Sequence, residues 1–256
     1  MGAPPLTVEL EKDGALLRLR LSRPKANIID AAMIAALRAA LREHLPGVKM
    51  RAVLLEAEGP HFSFGASVEE HLPGSCAEML RELHALILEL VASTAPVLVA
   101  VRGQCLGGGL ELAAAGHLIF AAPGAMFGQP EIKLAVFAPA ASCLLPERIG
   151  PSRAADLLFS GRSIGAEEAY RIGLVNALAD DPSHAALAYF EEHLAPRSPS
   201  SLRLAVHAAR VDFVERVRRK LAEVERLYLK ELMATHDALE GLTAFIEKRP
   251  AVWEDR

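Results

Sequence analysis

The sequence predicts an α/β core followed by a helical C-terminal section. Short apolar segments of strand length alternate with amphipathic segments of helical period through the first half of the chain, which is typical of α/β proteins. From about Pro151 only helical patterns follow, and the last part carries dense charge. The break near Ser198–Pro199 is a weak boundary between a core, 1–198, and a helical section, 199–256. We expect this section to pack on the core or on a neighbouring subunit.

The first predicted elements are a strand and a helix. In Ala15–Leu21, apolar and charged residues alternate, which is the pattern of a half-buried strand. Pro24 ends this pattern. Asp30 is a residue type that caps helices, and it precedes a helical face that carries Met33 and Leu41. This part of the chain therefore predicts a strand, a turn and a capped helix.

Two further strands flank a second predicted helix. Ala52–Ala57 is apolar and of strand length, and a loop with the sequence GPHFSFGAS follows it. Leucine and isoleucine recur at helical spacing over residues 80–90, and Pro96 ends this pattern. Val97–Val101 has no polar position, which predicts a strand buried on both faces.

The predicted elements after the third strand are less regular. His117–Ala122 is strand-like, and the apolar segment PGAMFGQPEIKLAVFAPAA that follows it directly is predicted to be a long loop. Helical segments follow from about Pro151, and the longest runs roughly from Asp212 to Met233. These segments form the helical part of the prediction.

Composition narrows the classes of function. The chain of 256 residues is 52% apolar, enough for a sizeable core, and its net charge of −4 argues against a nucleic-acid footprint. It has no secretory signal pattern, and no apolar run approaches the ~20 residues of a membrane span. The three cysteines have no metal-like spacing and fit a reducing compartment. We therefore expect a cytoplasmic protein without nucleic-acid, membrane or metal partners.

A glycine triplet opens the segment that carries the first candidate site. Gly107, Gly108 and Gly109 stand between the buried strand and a short predicted helix. Backbone N–H groups at that point have no partner within the helix and lie at the positive end of its dipole. Without Cβ atoms, a negatively charged ligand oxygen can approach them, and Glu111 follows in the same first turn. The alternative is a tight strand-to-helix joint in which Glu111 complements the helix dipole.

A second loop, Phe62–Ser67, also follows a strand. Gly65 lets the backbone turn and can expose the N–H of Ala66. One N–H from each glycine loop, directed at one carbonyl oxygen, would form an oxyanion hole. Taken alone, this segment is more typical of an ordinary loop, and we interpret His61 and His71 on either side of it as loop histidines.

A second acidic residue lies in an apolar segment. Glu131 follows Pro130, and partial desolvation there is expected to raise the pKa of the carboxyl toward the range of acid–base catalysts. With Glu111 it could form a pair in which one carboxyl activates water and the other donates or relays a proton, with the two roles unassigned. The alternative is a solvated loop glutamate.

Together these segments resemble the enoyl-CoA hydratase/isomerase (crotonase) superfamily. The resemblance extends over nearly the whole chain, in the family's order and at about its spacing. It rests on LSRPKANIID, FSFGAS, VRGQCLGGGLELAAAGHLIFAA, FGQPEI, LFSGRSIGAEEAYRIGLVN and EGLTAFIEKRPAVWED. The resemblance implies a crotonase-like spiral of β-β-α units with C-terminal helices used in trimerisation. It also implies a homotrimer or homohexamer that binds an acyl-CoA substrate and needs no cofactor.

The resemblance also implies roles for particular residues. The thioester oxygen would lie between the N–H groups of Ala66 and Gly108. Glu111 and Glu131 match the two catalytic glutamates of the hydratases, and retention of both favours hydratase chemistry. Further substrate and CoA contacts are implied at Lys25, Ala26, Ile28, Ser63, Phe64, Gly65, Gly107, Pro130, Phe245 and Lys248.

Two departures from the family pattern concern the acyl pocket. The family's usual Ala-Gly-Ala-Asp is Phe-Gly-Ala-Ser at residues 64–67 here, and Val136–Gly150 replaces a glycine-rich segment. The segments FSFGASVEEHLP and LAVFAPAASCLLP are most similar to the subfamily that hydrates cyclohexa-1,5-diene-1-carboxyl-CoA in anaerobic benzoyl-CoA degradation. The expected product is 6-hydroxycyclohex-1-ene-1-carboxyl-CoA.

Three alternatives stay open at this point. The first is that the protein has the same fold but is an ordinary enoyl-CoA hydratase or an enoyl-CoA isomerase. An acyl-CoA thioesterase is disfavoured because the chain has no G-x-S-x-G motif. A non-enzymatic RNA binder on the same fold is disfavoured by the acidic balance of charge.

Overall fold

Strands and helices alternate along most of the chain, and helices alone follow the last strand. A computed structural model describes residues 4–256, with strands β1 (Leu6–Glu11), β2 (Leu16–Leu21), β3 (Ala52–Ala57), β4 (Val97–Val101), β5 (Gln104–Leu106), β6 (Leu118–Ala121), β7 (Met126–Gly128), β8 (Ser163–Gly165) and β9 (Ala177–Leu178). The helices are α1 (Ala31–His44), α2 (Cys76–Val91), α3 (Gly108–Ala115), α4 (Pro139–Ile149), α5 (Pro151–Ser160), α6 (Ala166–Arg171), α7 (Pro182–Tyr189), α8 (Pro199–Lys230) and α9 (His236–Glu247). Single turns of 3-10 helix include Glu69–His71 and Pro130–Leu134.

Two sheets form the centre of the molecule. The larger has the order β1-β2-β3-β4-β6-β9, in which β1 pairs antiparallel to β2 and the other pairs are parallel. The smaller has the order β5-β7-β8, with β8 antiparallel. Parallel neighbours end at the same edge of a sheet, so the loops that follow β3 and β4 meet there. Both glycine loops lie at this edge.

The structure confirms the predicted fold class, an α/β core with a helical C-terminal section. β3 and β4 have the predicted bounds, and β2 starts one residue later than predicted. Asp30 caps α1 as expected, because its side chain accepts a hydrogen bond from the N–H of Met33 at 2.9 Å. The elements with strong local sequence patterns were therefore predicted correctly.

The prediction of a long loop ahead of Pro151 is wrong. β7 and the 3-10 turn Pro130–Leu134 occupy its first part, and α4 begins at Pro139. Proline suits the first turn of a helix, where its missing N–H would have no partner. Pro130 and Pro139 therefore each mark the start of a helix. Most of α4 is buried, so its sequence lacks the amphipathic period that reveals a surface helix.

The long C-terminal helix starts earlier than predicted. α8 is one continuous helix of 32 residues, whereas the prediction began at Asp212. Asp212 is paired with Arg216 inside this helix. The buried residues of α8 are Val206, Val217, Leu221 and Tyr228. Because these buried positions are so far apart, the sequence of this helix shows little of the apolar periodicity that predicts a helix.

The helical section shares the main core. Val217, Leu221 and Tyr228 belong to the same hydrophobic cluster as side chains from the larger sheet, α2 and α4. Ser198 is the N-cap of α8, so the weak boundary coincides with a helix start, and the division at 198 stays a prediction. Among residues 4–256, no helix combines the length and the apolar character of a bilayer-spanning segment.

Candidate active site

Backbone contacts hold the two glycine loops together. The N–H of Phe64 donates to the carbonyl of Ala26 at 2.9 Å, and the N–H of Ile29 donates to the carbonyl of Gly65 at 2.9 Å. The loop after β3 also forms a bridge to β5, between Ser63 and Cys105. The first glycine loop is thus fixed on both sides, against the turn after β2 and against the segment that leads to the glycine triplet.

The N–H groups of Ala66 and Gly108 come close together. A Cβ atom placed on Gly108 would lie 3.0 Å from the Ala66 nitrogen, and one placed on Gly65 would lie 3.5 Å from the Gly108 nitrogen. Gly65 has φ +113°, a conformation that favours glycine. Within residues 4–256, neither N–H has a hydrogen-bond acceptor. Two adjacent amide donors therefore remain free to bind one ligand oxygen.

Glu111 lies in the first turn of α3 and is almost fully buried, with 3% of its surface exposed. Its Oε1 accepts a hydrogen bond from the N–H of Ala141, in the first turn of α4, at 2.8 Å. Desolvation raises the pKa of Glu111, while hydrogen bonds from the backbone of α4 and the charge of His84 oppose this rise. The carboxyl is thus buried but has one polar partner at a helix N-terminus.

Glu131 lies in the 3-10 turn Pro130–Leu134, opposite the glycine triplet. A Cβ atom at Gly107 would lie 2.6 Å from Glu131 Oε1, so only glycine leaves room for this carboxyl. The side-chain amide of Gln129, oriented as a donor, lies 2.9 and 3.0 Å from the two carboxyl oxygens. Desolvation and the nearby charge of Glu111 raise the pKa of Glu131 to about 8.

These groups share one cavity of about 350 Å³. Nine of the sequence-predicted site residues line it, namely Phe64, Gly65, Ala66, Gly107, Gly108, Glu111, Pro130, Glu131 and Phe245. The cavity therefore contains two carboxyls and a pair of free amides within a mainly apolar wall. Such a site can hold a thioester oxygen and handle water next to it.

The comparisons with known proteins agree with this geometry. The Enoyl-CoA hydratase/isomerase family matches residues 11–256. The chain belongs to this family. A Cyclohexa-1,5-dienecarbonyl-CoA hydratase from Thauera aromatica is 67% identical over 98% of each chain. A Carnitinyl-CoA dehydratase from Escherichia coli K12 is 31% identical over 98% of this chain and 99% of the relative.

A solved structure confirms the family fold. The crystal structure of an enoyl-CoA hydratase/isomerase from Pseudoalteromonas atlantica T6c superposes with a TM-score of 0.83 at 28% identity, covering 97% of this chain and 99% of the other. The resemblance that the sequence motifs indicated is thus confirmed for the family and for its fold. The roles of individual site residues stay predictions.

Five predicted contact residues of the family site do not line the cavity: Lys25, Ala26, Ile28, Ser63 and Lys248. Lys25 and Lys248 are exposed and have positive φ, at a turn and at the C-cap of α9. Ser63 is fully buried, and its Oγ accepts a hydrogen bond from the N–H of Gly65 at 3.0 Å. Its side chain therefore supports the first glycine loop from behind.

Sequence reasoning missed most of the apolar wall and one histidine. Leu80 and Leu83 of α2 line the cavity, and so does Phe137 ahead of α4. His71, interpreted as a loop histidine, also lines the cavity, and its Nδ1 lies 2.7 Å from the carbonyl of Ser67. Burial lowers the pKa of His71. The helical period of α2 could have indicated the two leucines, but no local signal identified this histidine.

Proposed function

We propose that the protein adds water to cyclohexa-1,5-diene-1-carboxyl-CoA, giving 6-hydroxycyclohex-1-ene-1-carboxyl-CoA in anaerobic benzoyl-CoA degradation. The observation that carries this proposal is the 67% identity with the Thauera aromatica hydratase over 98% of both chains. The pair of carboxyls and the pair of free amides in one cavity support hydration as the reaction. An apolar wall suits an acyl group that has no polar atoms beyond its thioester.

The proposed reaction begins with attack by water. One glutamate takes a proton from water, and the water oxygen bonds to the β-carbon of the conjugated thioester. The electron pair of the double bond moves toward the thioester oxygen. The N–H groups of Ala66 and Gly108 are placed to bind that oxygen as its negative charge grows. They stabilise the transition state more than the neutral substrate because the charge develops during this step.

The second step returns a proton to carbon. The second glutamate donates or relays a proton to the far end of the second double bond, and the remaining double bond moves next to the thioester carbon. One molecule of water is thereby added across the diene, with no change of oxidation state. Glu111 and Glu131 are the proposed catalytic residues, and Phe64, Pro130 and Phe245 are proposed to contact the substrate.

The wider assembly belongs to the same proposal. We propose a cytoplasmic homotrimer or homohexamer that uses the section 199–256 for trimerisation. Exposed apolar side chains on α8 support this, with Leu204 70% and Val211 48% exposed and seven residues apart on one helix face. The three cysteines are buried and unpaired, which agrees with a reducing compartment.

Product analysis tests the proposed function. The purified protein is incubated in D₂O with the cyclic dienoyl-CoA and, separately, with crotonyl-CoA, and products are identified by mass and by NMR of the deuterium position. We expect 6-hydroxycyclohex-1-ene-1-carboxyl-CoA with one carbon-bound deuterium at the carbon distal to the new hydroxyl. Preferential hydration of crotonyl-CoA, double-bond migration without hydration, or release of free CoA would each overturn the proposal.

A further inference from the structure

His71 is a polar side chain of the cavity that the proposed reaction does not use. The polar side chains that line the cavity are His71, Glu111, Glu131 and Lys133. The two carboxyls belong to the proposed reaction, and Lys133 is exposed. The few polar groups in a mainly apolar pocket usually fix the orientation of a ligand and select among ligands. This makes His71 a candidate for recognition of the acyl group.

Aromatic contacts place His71 at the inner end of the cavity. Its ring centroid lies 6.4 Å from that of Tyr228, and the ring centroid of Phe137 lies 5.2 Å from that of the same tyrosine. Tyr228 is fully buried. Phe64 and Phe245, in contrast, are 43% and 55% exposed and mark the mouth of the cavity. His71 therefore lies beside Phe137 at the buried end, where the acyl ring is proposed to bind.

The contact with Ser67 fixes the tautomer of His71. Its Nδ1 lies 2.7 Å from the backbone carbonyl oxygen of Ser67. A carbonyl oxygen can only accept a hydrogen bond, so Nδ1 carries the hydrogen. In a neutral imidazole the other nitrogen, Nε2, then has a lone pair and can only accept. His71 is thus left with one free acceptor, on the part of the ring that points away from Ser67.

The surroundings of His71 favour the neutral imidazole. Burial lowers its pKa, although the hydrogen bond to Ser67 opposes this. Within residues 4–256, the histidines that lie within 4.0 Å of a carboxylate are His44, His84, His193 and His236. Nε2 of His71 is not among the enclosed polar atoms of these residues that lack a partner. Because His71 lines the cavity, this open acceptor is available to a ligand there.

We propose that Nε2 of His71 accepts a hydrogen bond from the water that adds to the ring and from the hydroxyl group that this water becomes. The inference rests on the proposed function, because the dienoyl ring has no O–H group of its own. Apart from its thioester the acyl group is hydrocarbon, so the added water is the hydrogen-bond donor that the reaction brings to the acyl end. His71 is therefore a specificity-determining residue for the hydroxylated ring.

The chemistry of the added water fits a neutral acceptor. One hydrogen of the water passes to a glutamate during attack, and the other stays on the oxygen as the hydrogen of the product hydroxyl. His71 binds this second hydrogen and neither gives nor takes a proton. A ring without the hydroxyl would leave Nε2 unpaired in the cavity, which disfavours binding of that ring.

Binding of two matched thioesters tests the inference. They are 6-hydroxycyclohex-1-ene-1-carboxyl-CoA and cyclohex-1-ene-1-carboxyl-CoA, which differ by one hydroxyl group. Equilibrium dialysis, with every free and bound thioester quantified by mass, gives both Kd values even if the protein interconverts hydrated and dehydrated forms. The measured quantity is the ratio of Kd for the hydroxy thioester to Kd for the thioester without the hydroxyl.

Two substitutions remove the acceptor in different ways. His71→Asn keeps an N–H near the position of Nδ1, for the carbonyl of Ser67, and removes Nε2. His71→Phe keeps the ring and its packing near Tyr228 but has neither nitrogen. We expect the ratio to rise about tenfold in both variants, while Kd for the thioester without the hydroxyl changes less than about twofold. His71→Phe decides the test if His71→Asn fails to fold.

Conservative and remote substitutions are the controls. His71→Gln returns an amide oxygen near the position of Nε2 and should recover part of the lost discrimination. His184→Asn, at an exposed histidine of α7 outside the cavity, should leave the ratio at the parent value. A parent-like ratio in folded His71→Asn or His71→Phe would overturn the inference. Equal loss of affinity for both thioesters would show a merely structural role and overturn it as well.

This test can fail separately from the proposed function. If the parent protein does not hydrate the cyclic dienoyl-CoA but the ratio rises in the variants, the hydroxyl contact stands and the proposed function fails. If hydration occurs and the ratio does not move, the proposed function stands and the role of His71 is wrong.

Discussion

Gly108 is the residue at which one added methyl group perturbs the amide pair most directly. A Cβ there would lie 3.0 Å from the nitrogen of Ala66 and 3.1 Å from its Cβ, so the two loops would have to move apart. We expect Gly108→Ala to lower kcat about 10²-fold, the effect of losing one oxyanion donor. Steady-state kinetics on the cyclic dienoyl-CoA measure this.

Gly124→Ala is the matched control for that substitution. A Cβ at Gly124 has no heavy atom within 4 Å, and the backbone there is not in the left-handed region. We expect parent kcat and an unchanged or slightly higher Tm, since alanine restricts the unfolded chain. If Gly108→Ala kept the parent kcat as well, the amide pair could not be the group that stabilises the transition state.

Glu131 gives the activity a limit at alkaline pH. Its pKa is raised to about 8, so it holds a proton near neutral pH and could donate that proton in the reaction. Activity should therefore fall as pH rises through about 8. A kcat/KM profile from pH 5 to pH 10 measures this fall. A flat profile above pH 8 would contradict this role for Glu131.

The same carboxyl links stability to pH. Its pKa rises from an ordinary 4.5 to about 8 on folding, so its contribution to stability is complete below about 4.5 and is lost as pH rises through 8. Glu131→Gln removes this titration. We expect the parent protein to lose on the order of 1–3 kcal/mol more stability than the variant between pH 6 and pH 9.5. Urea unfolding at both pH values measures this, and Glu78→Gln, with 78% of its side chain exposed, is the control.

At the residue scale, local sequence indicated the residues that are proposed to perform the chemistry and missed contacts that hold buried side chains in place. Glycines next to Glu111, and a glutamate after a proline in an apolar segment, are visible in one stretch of chain. The N–H that Ala141 donates to Glu111 comes from 30 residues away, and the His84–Glu225 contact joins residues 141 apart. Contacts of this kind depend on the packing of helices, so no local pattern could have predicted them.

At the element scale, the segment that leads into α4 lines the proposed acyl pocket. Phe137 lines the cavity and packs edge-to-face on Tyr228, with ring centroids 5.2 Å apart. Phe137→Ala would remove this wall, and we expect an increase of about tenfold in KM for the cyclic substrate with a loss of about 3 kcal/mol of stability. Phe159→Ala, at a side chain 77% exposed, is the control and should change neither. If Phe137→Ala left KM unaltered, the acyl ring would not bind against Phe137.

Helices and strands could be predicted where buried residues recur at the spacing of a helix or a strand. β3, β4 and the cap of α1 were correct because alternation, continuous apolar runs and capping residues are local signals. β1 was missed as a strand at the edge of the sheet, with Val8 and Leu10 half exposed. The start of α4 was missed because this helix is largely buried, and the start of α8 because few of its residues face the core.

At the scale of the whole molecule, the exposed face of α8 predicts association. A trimer of 27.5 kDa chains has a mass of about 82 kDa and a hexamer twice that. We expect Leu204→Asp with Val211→Asp to weaken assembly, because both side chains lie exposed on one face of the helix. Size-exclusion chromatography with light scattering measures this. A monomeric parent protein would contradict the proposed assembly.

The central claim is that two carboxyls in one cavity handle water beside two free amides. The most direct measurement is kcat/KM of the double variant Glu111→Gln, Glu131→Gln on cyclohexa-1,5-diene-1-carboxyl-CoA, with Tm recorded to show that it folds. We expect a loss of at least about 10⁴-fold, because both the base and the acid are removed. Turnover at the parent rate by this folded variant would contradict the account.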